Sequence, residues 1–283
     1  MKLARLGPLG SETPAVLHDG VYYDLSALTA TIDGDFLESG GLDRVRAALG
    51  SLPPLENADS LRVGSPIARP SAVICIGQNY AAHARESGSE PPVNPIIFLK
   101  TPNTVVGAND AVRIPRGSTK TDWEVELGVV IGQRASYLDS PGDSRAHIAG
   151  YVVANDVSER TFQMEVSGGQ WSKGKSAPGF SPLGPWLVTA DEVDAQSLGL
   201  RSWVNGEARQ NSSTADMIFS VAHLIWDLSQ YLTLEPGDVV LTGTPQGVAF
   251  GGVFPYLREG DVVEIEIDGL GRQRQVFTTW DAS

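Results

Sequence analysis

Asp122-Trp123-Glu124-Val125-Glu126-Leu127-Gly128-Val129-Val130-Ile131 reads as a β-strand with a period of two. Val125, Leu127, Val129 and Ile131 fall on one side and face a core, while Glu124 and Glu126 share the other. Two neighbouring carboxylates repel each other, and a cation between them relieves that cost. A solvated acidic face on an edge strand explains the same pattern, and Glu264-Ile265-Glu266 repeats it near the C-terminus.

A third acid narrows the reading. Asp156 follows the apolar run Tyr151-Val152-Val153 and sits where that strand turns, placed to meet the Glu pair across a sheet. Three carboxylates with open water positions match a hard divalent ion, Mg²⁺ or Mn²⁺. A cap on the following segment is the plainer role for Asp156. The chain's 4 histidines show no zinc-ligand spacing.

Outward from this strand the chain is punctuated throughout, with 31 Gly and 18 Pro among 283 residues, which favours sheets joined by turns. Asn205-Gly206 marks a hairpin, and Pro236-Gly237-Asp238 and Glu259-Gly260-Asp261 each lead into a β run. One longer helix is expected over 217–232, where Ile218, Val221, Ala222, Ile225, Leu228 and Leu232 keep one face apolar. Residues 1–65 read as a small N-terminal α/β unit, with a hairpin at His18-Asp19-Gly20, a helix over 42–49 and a linker from Pro53-Pro54. Residues 66–283 form the body.

A hydrophobic content of 41% and 19% charged residues exclude a disordered chain. With 21 basic against 34 acidic residues the formal charge is −13, and without a Lys/Arg run nucleic acid is excluded as a partner. Cys75, the only cysteine, lies in Val73-Ile74-Cys75-Ile76 and reads as a buried thiol. The opening MKLARLGPLGSE lacks the apolar core of a signal peptide and no stretch is long enough to span a bilayer. A soluble, cytoplasmic protein without membrane contacts is the expectation.

Three further segments carry chemistry. In Gly77-Gln78-Asn79-Tyr80-Ala81-Ala82-His83-Ala84-Arg85-Glu86-Ser87-Gly88, Asn79 can cap a short helix that Gly88 ends. His83 and Glu86 then share a face, as a base that activates water requires; a surface pair is the alternative. The Gly- and Pro-rich loop around Lys173 and Lys175 can hold a lysine against an oxyanion, or leave it solvated. The turn Leu241-Thr242-Gly243-Thr244-Pro245-Gln246-Gly247 can bind a carboxylate through backbone N–H groups and hydroxyls, or be an ordinary turn.

Taken in order, segments 77–86, 122–131, 155–163, 175–186 and 241–247 resemble the fumarylacetoacetate hydrolase family over roughly residues 70 to 280. The resemblance implies an α+β, β-rich fold, its mixed β-sheets rolled around a central metal site, in a homodimer. It implies that Glu124, Glu126 and Asp156 hold Mg²⁺ or Mn²⁺. His83 with Glu86 would activate water from a mobile lid, and Lys175 matches the active-site lysine. Gln78, Arg160, Gln163 and Thr244 match substrate-binding positions. Many members carry a Phe-Asp-Thr-Phe-like stretch after the lysine, where this chain has Ser176-Ala177-Pro178-Gly179-Phe180.

The implied activity is hydrolysis of a carbon–carbon bond in a small anionic keto acid. The substrate would be a 2,4-dioxo acid of the acylpyruvate or 2,4-diketo-3-deoxy sugar acid type, giving pyruvate and a second acid. Isomerisation of a dienoate and decarboxylation of oxaloacetate use the same kind of site, and lyase action on a ureido acid is a weaker option. A metal-binding module without catalysis is the alternative from another class.

Overall fold

The computed structural model describes residues 1–280, arranged as three β-sheets with a few short helices. The largest sheet has eleven strands. Its main path runs Val21–Asp24, Thr13–His18, Lys2–Leu6, Leu187–Thr189, Ile148–Asn155, Val125–Ile131, Val239–Leu241, Val73–Gly77, Ile96–Lys100. The sheet is mixed, because Val239–Leu241 runs antiparallel to Val125–Ile131 and parallel to Val73–Gly77. Its path has two free ends, so it does not close into a barrel. A second sheet holds Glu207–Ser213, Gly199–Val204, Val262–Ile267, Gly271–Thr279 and Val112–Ile114. The α+β, β-rich class expected from the sequence is the observed one.

Val125–Ile131 lies inside the large sheet and every one of its residues is buried. That position removes the edge-strand explanation of the Glu pair. Val125, Leu127, Val129 and Ile131 pack with Val263 and Ile265 of the second sheet, as their alternation predicts. On the opposite face Val130 packs with Val152, Val239, Leu3 and Phe36. Each such side chain stabilises the fold by about 1.5–3 kcal/mol when fully buried. Glu124 and Glu126 therefore point into a second buried layer rather than to water.

Residues 1–65 extend the large sheet, since Lys2–Leu6 pairs with Leu187–Thr189. The N-terminal ammonium donates to Thr189 Oγ1 at 2.7 Å and to Glu192 Oε1 at 2.8 Å. The helix foreseen over 42–49 is Gly41–Ala48. Asn205 and Gly206 turn the predicted hairpin with φ of 54° and 80°, both in the left-handed region that this two-residue turn needs. The two Gly-Asp turns are equivalent: Asp238 Oδ2 accepts from the N–H of Glu235 at 2.9 Å, and Asp261 Oδ2 from that of Arg258 at 2.7 Å.

Two local expectations are corrected. The helix expected over 217–232 is only Val221–Ser229: Ser220 sets its start by accepting from His223 N–H at 3.2 Å, and Gln230 caps its end. The residues before Ser220 are drawn instead to Asn79, whose Oδ1 accepts from Phe219 N–H at 2.8 Å. Asn79 is accordingly not a helix cap. Its amide also donates to Phe219 O and Thr242 O, and the helix Ala81–Glu86 starts after Tyr80.

Candidate active site

The register of two neighbouring strands assembles the acidic centre. Glu126 lies opposite Ala154, and the N–H of Asp156 donates to Glu124 O at 3.0 Å, so Glu124, Glu126 and Asp156 share one face. They are 4%, 1% and 0% exposed. One carboxylate oxygen from each lies within 4.8 Å of the others, a spacing that a single divalent ion can bridge.

Three buried cations stand against these acids. Lys175 ends the short helix Ser172–Lys175, and its Nζ donates to Glu124 Oε2 and Asp156 Oδ2, each at 2.7 Å. Gly174 permits this approach: a Cβ there would fall 2.4 Å from Glu159 O and 2.5 Å from Gln163 Cβ. Lys100 donates to Asp156 Oδ1 and, at 2.6 Å, to Phe180 O. Arg160 Nη2 lies 2.8 Å from Asp122 Oδ2 and 2.7 Å from Glu124 Oε1, while Nη1 donates to Gln163 Oε1 at 2.9 Å.

The charges are unevenly answered. Burial would raise Glu124, but Lys175 and Arg160 beside it hold its carboxyl well below the usual range. Burial, reinforced by Asp156 and then Glu124, pushes Glu126 well above it. Burial opposes the charge on Lys175, yet Asp156 and Glu124 outweigh it and raise the ammonium. Glu126 is the one member of the triad with no side-chain cation among the described residues; it accepts from the N–H of Gly243 at 2.8 Å. Glu126 lacks a bonded cation of its own, and the three acids lie close enough together for the donor set to fit a divalent ion.

His83 enters the same small cavity, of about 40 Å³, with Gln78, Lys175 and Thr244 on its lining. Its Nδ1 lies 3.3 Å from Glu86 Oε2, and the N–H of Gly247 donates to Glu86 Oε1 at 3.0 Å. The helix that carries the pair is therefore tied to the loop after Gly243. Nε2 of His83 has no hydrogen bond among the described residues, which leaves it for the cavity. Such an imidazole, oriented by a carboxylate, is equipped to take a proton from water.

Arg160, Gln163 and Thr244 also reach the cavity, although each is already engaged. Thr244 Oγ1 donates to Val125 O at 2.9 Å and accepts from Gln210 Nε2 at 2.8 Å. Lys173, the other lysine of its loop, is exposed and donates to Ser167 O at 3.3 Å. Lys100, Asp122 and Gln210 were not singled out from the sequence. Lys100 closes the apolar run Ile96-Ile97-Phe98-Leu99, and a lysine ending such a strand is buried only when paired. Asp122 gathers Arg160 with the N–H groups of Ala249 and Phe250. Gln210 joins Val125 to the Thr244-Pro245 turn from a distant strand, and no local pattern announces it.

Residues 72–278 match the fumarylacetoacetate (FAA) hydrolase C-terminal family. The chain belongs to the fumarylacetoacetate hydrolase family. It is 49% identical over 283 residues to a protein of Burkholderia multivorans that carries the provisional name of hydrolase, covering 98% of each chain. Among solved structures it is similar to a 2-hydroxyhepta-2,4-diene-1,7-dioate isomerase from Mycobacterium marinum. That likeness has a TM-score of 0.76 at 30% identity, over 99% of this chain and 98% of the other. It is also similar to a maleylpyruvate hydrolase from Sphingobium sp. SYK-6, solved with manganese(II) and pyruvate. Here the TM-score is 0.82 at 27% identity, over 99% of this chain and 100% of the other.

Proposed function

We propose that the chain is a divalent-metal-dependent hydrolase that cleaves a carbon–carbon bond in a 2,4-dioxo acid, releasing pyruvate and a second acid. The observation that carries this reading is the His83–Glu86 pair, held by Gly247, with His83 opening into the cavity that Glu124, Glu126 and Lys175 line. Glu124, Glu126 and Asp156 would hold Mg²⁺ or Mn²⁺, and such an ion supplies electrophilic polarisation of the substrate's 2-oxo acid end. The family relative solved with manganese and pyruvate supports both the ion and the product.

His83, oriented by Glu86, takes a proton from water as the oxygen adds to the distal carbonyl carbon. Lys175 stabilises the resulting alkoxide. Breaking the carbon–carbon bond leaves the distal half as a carboxylic acid and the other half as the enolate of pyruvate. His83 returns its proton to that carbanion. Arg160, Gln163, Gln78 and Thr244 orient the keto acid.

Isomerisation of a dienoate is the second reading, favoured by the likeness to the Mycobacterium marinum isomerase, and decarboxylation of oxaloacetate draws on the same groups. Neither needs water to add. The test is product analysis with acylpyruvates and oxaloacetate, with Mn²⁺ and with EDTA. Metal-dependent release of pyruvate with the matching acid is expected; CO₂ from oxaloacetate with acylpyruvates untouched would overturn the hydrolase. No helix among the described residues is long and apolar enough to cross a membrane. A homodimer is the proposed assembly, supported by strand Ile96–Lys100, which ends its sheet with Ile97 and Leu99 exposed.

A further inference from the structure

We infer that the site takes keto acids with a single carboxylate and a small uncharged acyl group, and that Phe98 and Trp171 set this limit. The inference rests on the keto-acid reading above and names the substrate class within it.

The apolar part of the cavity lining is formed by Ile76, Phe98, Met164, Trp171 and Phe250. Phe98 and Trp171 meet edge to face, with ring centroids 5.7 Å apart. Gly77 makes room for this wall, since a Cβ there would fall 2.4 Å from Trp171 Cζ3. Apart from the acids, Lys175, Arg160 and His83, the polar groups of the lining, Gln78, Ser87, Gln163 and Thr244, are uncharged. A second carboxylate would need a cation, and the two that line the cavity are committed. Lys175 is held by Glu124 and Asp156 with the Phe98 ring 5.2 Å from Nζ. Arg160 is held by Asp122 and Glu124 with the Phe250 ring 5.1 Å from Cζ. Among the described residues no other Lys or Arg lines the cavity, and Lys100 is spent on Asp156.

A second carboxylate placed against the Phe98 and Trp171 rings would meet no cation of its own, and desolvation of an unpaired charge is strongly disfavoured.

The test compares acetylpyruvate with fumarylpyruvate for turnover by the Mn²⁺-loaded protein. It also compares 2-oxobutyrate with 2-oxoglutarate for binding. A kcat/KM at least 100-fold higher for acetylpyruvate is expected, with binding at least tenfold tighter for the monoacid. Trp171→Arg should raise fumarylpyruvate turnover at least tenfold. Trp171→Leu, a milder change, should instead admit longer uncharged acyl groups. Equal or better turnover of fumarylpyruvate beside active acetylpyruvate cleavage would overturn the inference and leave the hydrolase standing. Preferred binding of the monoacid without any turnover would overturn the hydrolase and leave the inference. Binding of neither acid would overturn both.

Discussion

Glu126 Oε2 accepts a hydrogen bond from the backbone N–H of Gly243 at 2.8 Å, and no side-chain cation among the described residues shares that carboxylate. Burial and the neighbouring Asp156 and Glu124 push its carboxyl well above the usual range. A raised folded value means that the folded chain binds a proton more tightly than the unfolded one. Stability is therefore lost as pH rises from about 4.3, the unfolded value, towards the folded one. Glu126→Gln removes that loss. Without metal, the variant should be more stable than the parent at pH 7, the gap closing towards pH 4. Thermal melts across pH, with and without Mn²⁺, check this; the variant should also lose stabilisation by Mn²⁺.

Lys175 places its ammonium between Glu124 and Asp156, where an ion would compete for the same oxygens. Lys175→Met should tighten Mn²⁺ binding, by about tenfold, because two carboxylates lose their only shared cation. Turnover should fall by roughly 10²–10³ with the loss of the group that stabilises the oxyanion. Calorimetric titration beside a pyruvate-release assay separates the two effects.

His83→Ala should retain one Mn²⁺ per chain and lose pyruvate release by about 10²–10⁴-fold. Glu86→Gln should cost less, since a glutamine still accepts from the N–H of Gly247. Unchanged release from acylpyruvate by the histidine variant would remove His83 from its role as base.

Gly174→Ala tests the positioning of Lys175 without touching its charge. The added methyl would fall 2.4 Å from Glu159 O and must push the helix away. A loss of about 1–3 kcal/mol is expected from such overpacking, together with reduced turnover. Denaturant melts measure the first and the pyruvate assay the second.

Much of this site is written in local patterns. Period-two alternation places Glu124 and Glu126 on one face, and the end of the apolar run before Asp156 brings the third acid to them. The three-residue spacing of His83 and Glu86 anticipates their pairing. What the sequence hides is long-range. Asn79 has the residue type of a helix cap, yet its amide is claimed by Phe219 and Thr242 from another part of the chain. Lys100 reads as the polar end of a strand, although Asp156 and Phe180 O draw it inside. Gln210 acts through contacts to Val125, Thr244 and Pro245 that only the packing of two sheets creates. The helix at Val221–Ser229 starts later than its apolar periodicity because Ser220 caps it, a boundary that the pattern alone does not show.

The central claim is that Glu124, Glu126 and Asp156 hold one divalent ion on which cleavage of the keto acid depends. Its most direct test is a titration of metal-free protein with Mn²⁺, following bound ion by electron paramagnetic resonance and pyruvate release from acetylpyruvate in the same samples. One ion per chain, activity rising in proportion to occupancy, and loss of both in Glu126→Gln are the predicted results. Full pyruvate release from metal-stripped protein, or an ion that binds unchanged in Glu126→Gln, would contradict the account.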